Sequence, residues 1–140
     1  MKRTILFLLS IFVSTVIMVS CSFSHNYTYL HSEEMIVGIE LVQFEIDNSD
    51  YTTFPSQKNI EDVDGFLSDF NRLDFYKSSL GPVGIVENSL VIKIVYENGD
   101  FELVHYNGQA KYTYELGSSN YCGRGTFEKE QFNALIEKYR

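Results

Sequence analysis

Leu90-Val-Ile-Lys-Ile-Val-Tyr96 is followed by Glu97-Asn-Gly-Asp100, Phe101-Glu-Leu-Val-His-Tyr106, Asn107-Gly108 and Gln109-Ala-Lys-Tyr-Thr-Tyr-Glu115. This stretch decides the fold, because it places two Asn-Gly pairs between runs rich in β-branched and aromatic residues. A tight two-residue hairpin turn needs positive φ at both central positions, and Asn-Gly adopts it at low cost. The stretch therefore predicts a three-stranded antiparallel meander over residues 90–97, 100–106 and 109–115.

The two turns also predict the register of the meander. With Asn98-Gly99 and Asn107-Gly108 as the turn residues, Leu103 lies opposite Ile94 on one side and Tyr112 on the other. One face then collects apolar residues and is expected to face the core: Leu90, Ile92, Ile94, Tyr96, Phe101, Leu103, Ala110, Tyr112 and Tyr114. The other face collects polar residues and is expected to be largely solvated: Lys93, Glu97, Asp100, Glu102, Gln109, Lys111, Thr113 and Glu115.

A further strand is predicted at residues 35–46, where apolar and polar residues alternate. The apolar phase changes between Leu41 and Phe44, which indicates either a bulge near Val42 or burial of both faces at the middle of the strand. Residues 74–77 fit a short additional strand. We expect the 35–46 strand to join one edge of the meander, while the sequence leaves the strand order open.

The first of two amphipathic helices is predicted at residues 60–73. Apolar side chains recur there at helical spacing, and acidic residues occupy the first turn, where they favour the helix dipole. Asn59 is the residue type preferred at the N-cap.

The second amphipathic helix is predicted at residues 128–139, with Glu128 or Thr126 as its N-cap. If Glu128 is the cap, Phe127 and Phe132 have the spacing of a hydrophobic staple. An antiparallel sheet needs cover for its apolar face, and two helices with apolar stripes can supply it. The predicted fold is therefore a two-layer α+β domain.

The start of the chain has the order of a secretory signal: a basic start, an apolar run and a small residue, Ser20, before Cys21. A small residue followed by cysteine at this position resembles the lipobox of bacterial lipoproteins, where the cysteine sulfur receives a diacylglyceryl group and becomes the new N-terminus. The alternatives are a plain signal peptide or a single membrane anchor, for which the run is short. The predicted organisation is a signal peptide at 1–20, a tether at 21–34 and one domain at 35–140.

The net charge of the mature chain argues against some classes of binding partner. Without Lys2 and Arg3, 9 basic and 19 acidic residues remain, a formal net charge of −10. Such a balance argues against nucleic-acid binding and against a protein surface that lies flat on anionic lipid. The expected membrane link is therefore the lipid on Cys21, on the extracytoplasmic face of the cell membrane, or in the outer membrane if the host has one.

The second cysteine lies in a glycine-rich loop predicted at residues 117–125. If Cys21 is acylated, Cys122 has no intramolecular partner for a disulfide. Exposed irregular loops are common positions for binding residues, and Tyr and Arg are favoured at contacts. Tyr121, Cys122 and Arg124 are therefore candidate contact residues for a partner protein or a small ligand.

Two residues of the meander are also candidates. Tyr106 lies on the outer sheet face by the predicted register, where it serves either as a contact residue or as a cross-strand neighbour of Val91. His105 lies on the inward face. With Cys122 it could form the nucleophile and base of a hydrolase or thiol enzyme, although no third orienting group is evident.

No cofactor or metal is expected from the motifs. The acidic turn at residues 47–50 lacks the glycine and the distal bidentate glutamate of an EF-hand loop. The sequence also contains no P-loop, dinucleotide fingerprint or HExxH motif.

The runs Tyr96-Glu-Asn-Gly-Asp-Phe-Glu-Leu103, Tyr106-Asn-Gly-Gln-Ala-Lys-Tyr112 and Phe132-Asn-Ala-Leu-Ile-Glu-Lys-Tyr139, with Phe127, resemble a group of small lipoproteins from Firmicutes-type bacteria. The likeness covers the C-terminal third well and the helical region at 59–77 loosely. These motifs are turns and core positions, so the resemblance implies ancestry and location and carries over no activity. The leading hypothesis is a non-enzymatic, lipid-anchored binding module of the cell envelope, and the alternative is an envelope hydrolase or thiol enzyme that uses Cys122.

Overall fold

The computed structural model describes residues 26–46, 52–77, 88–112, 119–120 and 125–140, and the predicted signal peptide and tether start, with Cys21, lie outside these ranges. The described chain is an α+β fold with a main antiparallel sheet, a two-stranded ribbon and two helices. Its strands are β1 (Ile36–Ile46), β2 (Thr52–Thr53), β3 (Ser56–Asn59), β4 (Phe75–Lys77), β5 (Ser89–Tyr96), β6 (Phe101–His105), β7 (Gly108–Tyr112), β8 (Ser119–Asn120) and β9 (Gly125–Phe127), and its helices are α1 (Val63–Phe70) and α2 (Lys129–Tyr139).

The predicted meander is present as β5, β6 and β7, and the 35–46 strand joins it as expected. The main sheet has the order β2-β1-β5-β6-β7-β8, and β3 also pairs with β1. The last residues predicted for the third meander strand, 113–115, lie outside the described residues.

The first hairpin has a different register from the predicted one. Ile94 lies opposite Glu102 instead of Leu103, because the loop has three residues instead of two. The Tyr96 backbone N–H donates to the Asp100 carbonyl at 2.9 Å, and within the loop only Gly99 has positive φ, at 85°. A three-residue loop with glycine in the left-handed region is the next commonest hairpin connection, and it fits the same Asn-Gly sequence.

A shift of one residue exchanges the two faces of a strand. The predicted partition of β6 is therefore wrong: Glu102 and Val104 face the helices with Ile94, while Leu103 lies on the opposite face. That opposite face is not solvated as expected, because a second apolar cluster covers it. Its members are Val42, Phe44, Val91 and Leu103, with Phe54 and Phe101 packed against them.

The second hairpin is also shifted from the prediction, but by two residues. His105 pairs with Gly108, so Tyr106 and Asn107 form the turn in place of Asn107-Gly108. Leu103 consequently lies opposite Ala110 instead of Tyr112. Because the shift is even, it leaves the alternation of faces between β6 and β7 unchanged.

Strand β1 shows both features that its change of apolar phase predicted. Its register against β3 shifts between Leu41 and Val42, and these two adjacent side chains, which point to opposite faces, are both fully buried. The chain after β1 returns as β2 and β3, which pair with the same strand. The β3 sequence Ser-Gln-Lys-Asn is polar and exposed, so it lacks the alternation that signals a strand.

Helix α1 begins later than predicted. The N-cap is Asp62, whose carboxylate accepts from the Gly65 N–H at 2.9 Å, and the expected cap Asn59 is instead the last residue of β3. Helix α2 begins as one of the two alternatives predicted. Glu128 caps it by accepting from the Gln131 N–H at 2.9 Å.

The small ribbon joins the two helical regions. β4, predicted as a short strand, pairs with β9 immediately before α2, so that Phe75 lies opposite Phe127. The Phe127 and Phe132 rings are 5.5 Å apart, as the predicted staple requires. A side chain at Gly125 would overlap the Phe75 ring, which explains the glycine at the start of β9. Neither α1 nor α2 has the length and hydropathy of a membrane span, and no other helix of the described residues does.

The packed structure begins before residue 35, the expected start of the domain. The Tyr27 ring lies 5.1 Å from Phe70 and 5.7 Å from Phe127, measured between ring centroids, so it belongs to the main core. Tyr29 and Leu30 pack against the same cluster. The segment 26–32, called the N-terminal strap below, therefore forms part of the fold and covers the helix-facing side of the sheet.

Candidate functional site

The strap covers a buried carboxylate. Glu102 is fully buried on the helix-facing side of β6, a consequence of the three-residue hairpin loop. The Tyr27 hydroxyl donates to its Oε2 at 2.8 Å, and the Tyr96 hydroxyl donates to its Oε1. The Leu30 N–H lies 3.4 Å from the same Oε1. Since a buried carboxylate is costly unless it accepts hydrogen bonds, the strap supplies donors that the sheet alone does not.

The surroundings of Glu102 keep the hydroxyls of Tyr27 and Tyr96 protonated, so that both can donate hydrogen bonds. Burial raises the pKa of Tyr27 well above its usual value, and the negative charge of Glu102 raises it further. The pKa of Tyr96 is raised by the same two causes in the same order. Both hydroxyls therefore stay protonated over the physiological range.

A second polar contact fixes the other end of the strap. His31 Nε2 lies 2.7 Å from Asp100 Oδ2, and the His31 ring meets the Tyr96 ring edge-on at 5.0 Å. The Asn98 side chain donates to the same Asp100 oxygen at 2.9 Å and accepts from the Asp100 N–H. The strap is thus tied both to the middle of β6 and to the turn between β5 and β6.

The contacts of this cluster position the strap. Both oxygens of Glu102 accept hydrogen bonds from within the fold, and its side chain has no exposed surface from which a substrate could be reached. Among the described residues, no group of three or more His, Cys, Asp and Glu side chains could hold a metal ion.

Tyr106 does not lie where the sequence placed it. The corrected register puts it on the helix-facing side, where it is half-buried against the main core. Its ring lies 6.5 Å from that of Phe132, and the Lys129 ammonium lies 5.3 Å from its centroid. The predicted position on the outer face over Val91 is therefore wrong.

His105 is buried at the end of β6, next to the second turn. Its Nδ1 shares a hydrogen bond with the side-chain oxygen of Asn107, and its ring packs on Phe132. Burial lowers the pKa of His105 below its usual value, and the charge of Lys129 acts in the same direction, while the Asn107 bond opposes them.

The remaining predicted residues, Cys21, Tyr121, Cys122 and Arg124, lie outside the described residues. The ends of the 121–124 segment are described. It follows β8, which pairs with β7, and precedes β9, which pairs with β4.

A cleft of about 380 Å³ lies at the far end of α2, between β1, β3 and the start of β5. Lys58 donates to the Arg140 carbonyl at 2.8 Å across it, and Gln43 donates to the Asn88 carbonyl at 2.6 Å. Asn88 has positive φ, 61°, which is uncommon outside glycine. The lining combines amides, cations and leucines: Leu41, Gln43, Gln57, Lys58, Asn88, Leu90 and Arg140. A cleft of this size and polarity suits a small polar ligand.

We predict that Tyr27→Phe destabilises the fold by about 1.5–3 kcal/mol, because it removes a donor from a buried charged acceptor. Tyr29→Phe is the matched control. It removes a hydroxyl that donates to the exposed side chain of Asn71, and about 1 kcal/mol or less is expected. Urea denaturation measures both free energies of unfolding, and equal losses would contradict the buried-carboxylate interpretation.

We further predict a pH dependence from His105. Its folded-state pKa lies below the usual 6.5, so the native state binds fewer protons than the unfolded state, and this stability is present above pH 6.5 and lost as pH falls through the folded pKa. The substitution His105→Gln should reduce the fall in unfolding free energy measured between about pH 7.5 and pH 5. An unchanged fall would show that His105 titrates normally in the fold.

Comparison with known proteins identifies no relative of this chain. No protein-family model matches it, and no curated protein or solved structure is significantly similar to it.

Proposed function

We propose that this chain is an exported bacterial lipoprotein, anchored through a lipid on Cys21 at the extracytoplasmic face of the membrane, whose α+β domain is a non-enzymatic binding module. The observation that carries the proposal is the fixed position of Tyr27 in the core, only six residues after the cysteine of the signal motif. A domain that begins so close to the cysteine suits a protein held by its N-terminus.

The anchor is supported by the order of the first 21 residues. A basic start, an apolar run and the pair Ser20-Cys21 is the arrangement that a lipoprotein signal needs. A diacylglyceryl group with an added acyl chain, such as palmitate, holds a protein far more firmly than one chain does.

Binding is supported by the cleft at the far end of α2. The amides of Gln43, Gln57 and Asn88 offer donors and acceptors, and Lys58 adds positive charge, while the Arg140 guanidinium is paired with Glu137 at 3.3 Å. A small polar or anionic ligand is the chemical class that fits this lining. The glycine-rich loop with Tyr121, Cys122 and Arg124 remains the proposed contact surface for a protein partner.

We predict that the mature protein starts at Cys21 and carries the mass of a diacylglyceryl group on that residue. Mass spectrometry of the N-terminal peptide from the membrane fraction measures this directly. The variant Cys21→Ser, which keeps the apolar run, should lose the lipid mass. An unmodified Cys21, or cleavage elsewhere, would contradict the proposal.

We also predict that the double variant Tyr121→Ala and Arg124→Ala loses the protein partner crosslinked in intact cells. The control is Glu61→Ala, an exposed residue just before α1 whose replacement should leave the crosslink unchanged. If the double variant keeps the crosslink, the loop is not the contact surface.

A further inference from the structure

The length of chain between Cys21 and the fold limits how far the domain can stand from the membrane. Tyr27 is fixed among Phe70, Phe75 and Phe127, so only residues 22–26 can act as a spacer. A fully extended chain spans at most about 3.6 Å per residue, which gives about 22 Å between the Cα atoms of Cys21 and Tyr27. This argument rests on the lipid attachment proposed above.

The contacts of Tyr27 identify which end of the fold is held close. Phe70 is the last residue of α1, Phe75 begins β4, and Phe127 ends β9. The strap therefore enters the fold where the end of α1 meets the β4–β9 ribbon. A spacer of this length keeps that end next to the bilayer.

The surface at this end has the composition of a membrane contact. Phe75 points into the core, so the next residue, Tyr76, points outward, and its side chain is 37% exposed. It is one of two large apolar side chains that the described residues expose, the other being Val37 on β1. Lys77, the residue after Tyr76, and Arg72, four residues before Tyr76, are also exposed. Tyrosine prefers the level of the lipid headgroups, and Lys and Arg extend their charges towards them.

The charge of the rest of the protein favours the same orientation. With a net charge of −10, most of the surface is repelled by anionic headgroups. Two acids at this end accept hydrogen bonds from neutral amides and keep their charge: Asp74 accepts from the Gln131 side chain at 2.9 Å, and Glu33 accepts from Asn71 at 2.9 Å. The exposed cations Arg72 and Lys77 offset part of the acidic charge at this end, which includes Glu130 in the first turn of α2.

We infer that the end of the fold formed by Arg72, Tyr76 and Lys77 docks on the bilayer surface when Cys21 is lipidated. The anchor makes this contact intramolecular, so a weak interaction suffices. The ligand cleft then lies at the opposite end of α2 from the docked surface. Helix α2 begins at the ribbon and has 11 residues, so its other end, where Lys58 meets Arg140, lies about 16 Å farther along the helix axis.

The test uses the full-length lipoprotein, purified from membranes and reconstituted into phosphatidylcholine–phosphatidylglycerol vesicles that contain a spin-labelled lipid. In a Cys122→Ser background, Tyr76→Cys or Lys77→Cys carries a fluorophore, and Gln57→Cys, exposed at the cleft end, is the matched control. We expect the spin-labelled lipid to quench the fluorophore at positions 76 and 77 several-fold more strongly than at position 57.

Each other outcome overturns docking in a distinguishable way. Equal quenching at all three positions, with lipid shown on Cys21 by mass spectrometry, overturns docking and leaves the proposed lipoprotein intact. Shielding of position 76 from a water-soluble quencher in intact cells, without quenching by the spin-labelled lipid, assigns the surface to a protein partner. The absence of lipid on Cys21 overturns the proposed function and docking together.

Discussion

The structure depends on one fully buried carboxylate, that of Glu102. Glu102 faces the apolar side of the sheet, and a charge in that position needs donors within the fold. Tyr96 provides one from the neighbouring strand, and Tyr27 provides another from a segment that precedes the first strand. The requirement of one buried charge therefore makes the N-terminal strap an integral part of the domain.

The architecture could be predicted from the sequence, whereas the register between the strands of the meander could not. Alternation and Asn-Gly pairs correctly predicted the three strands of the meander and the 35–46 strand. Apolar residues at helical spacing predicted both helices, and Glu128 was one of the two caps predicted for the second. The first turn was misjudged because Asn98-Gly99 fits a two-residue and a three-residue loop equally well. In the folded chain the choice depends on packing. The three-residue loop buries Val104 against the helices and Leu103 against Phe101 and Phe54, at the cost of burying Glu102.

The contacts that the N-terminal strap makes with the fold could not be predicted from the sequence, for a related reason. The sequence around Tyr27, Tyr29 and His31 is polar and short, and it was interpreted as a tether. The one local feature of this segment is that Tyr27, Tyr29 and His31 recur at every second residue. In the fold Tyr27 reaches Glu102, and His31 reaches Asp100. Their partners lie about 70 residues farther along the chain, and local patterns carry no information about such pairs. The cleft is not predicted from the sequence either, because its lining comes from β1, β3, the start of β5 and Arg140, the residue after α2.

The contact between the Tyr27 and Phe127 rings has a consequence for biogenesis. Nearly the whole domain lies between these two residues, so the strap cannot take its final place until the last strand has been synthesised. Before β9 forms, Tyr27 lacks one of the rings against which it packs. Completion of the domain then brings the strap against the core, so formation of the β4–β9 ribbon precedes docking of the N-terminal segment.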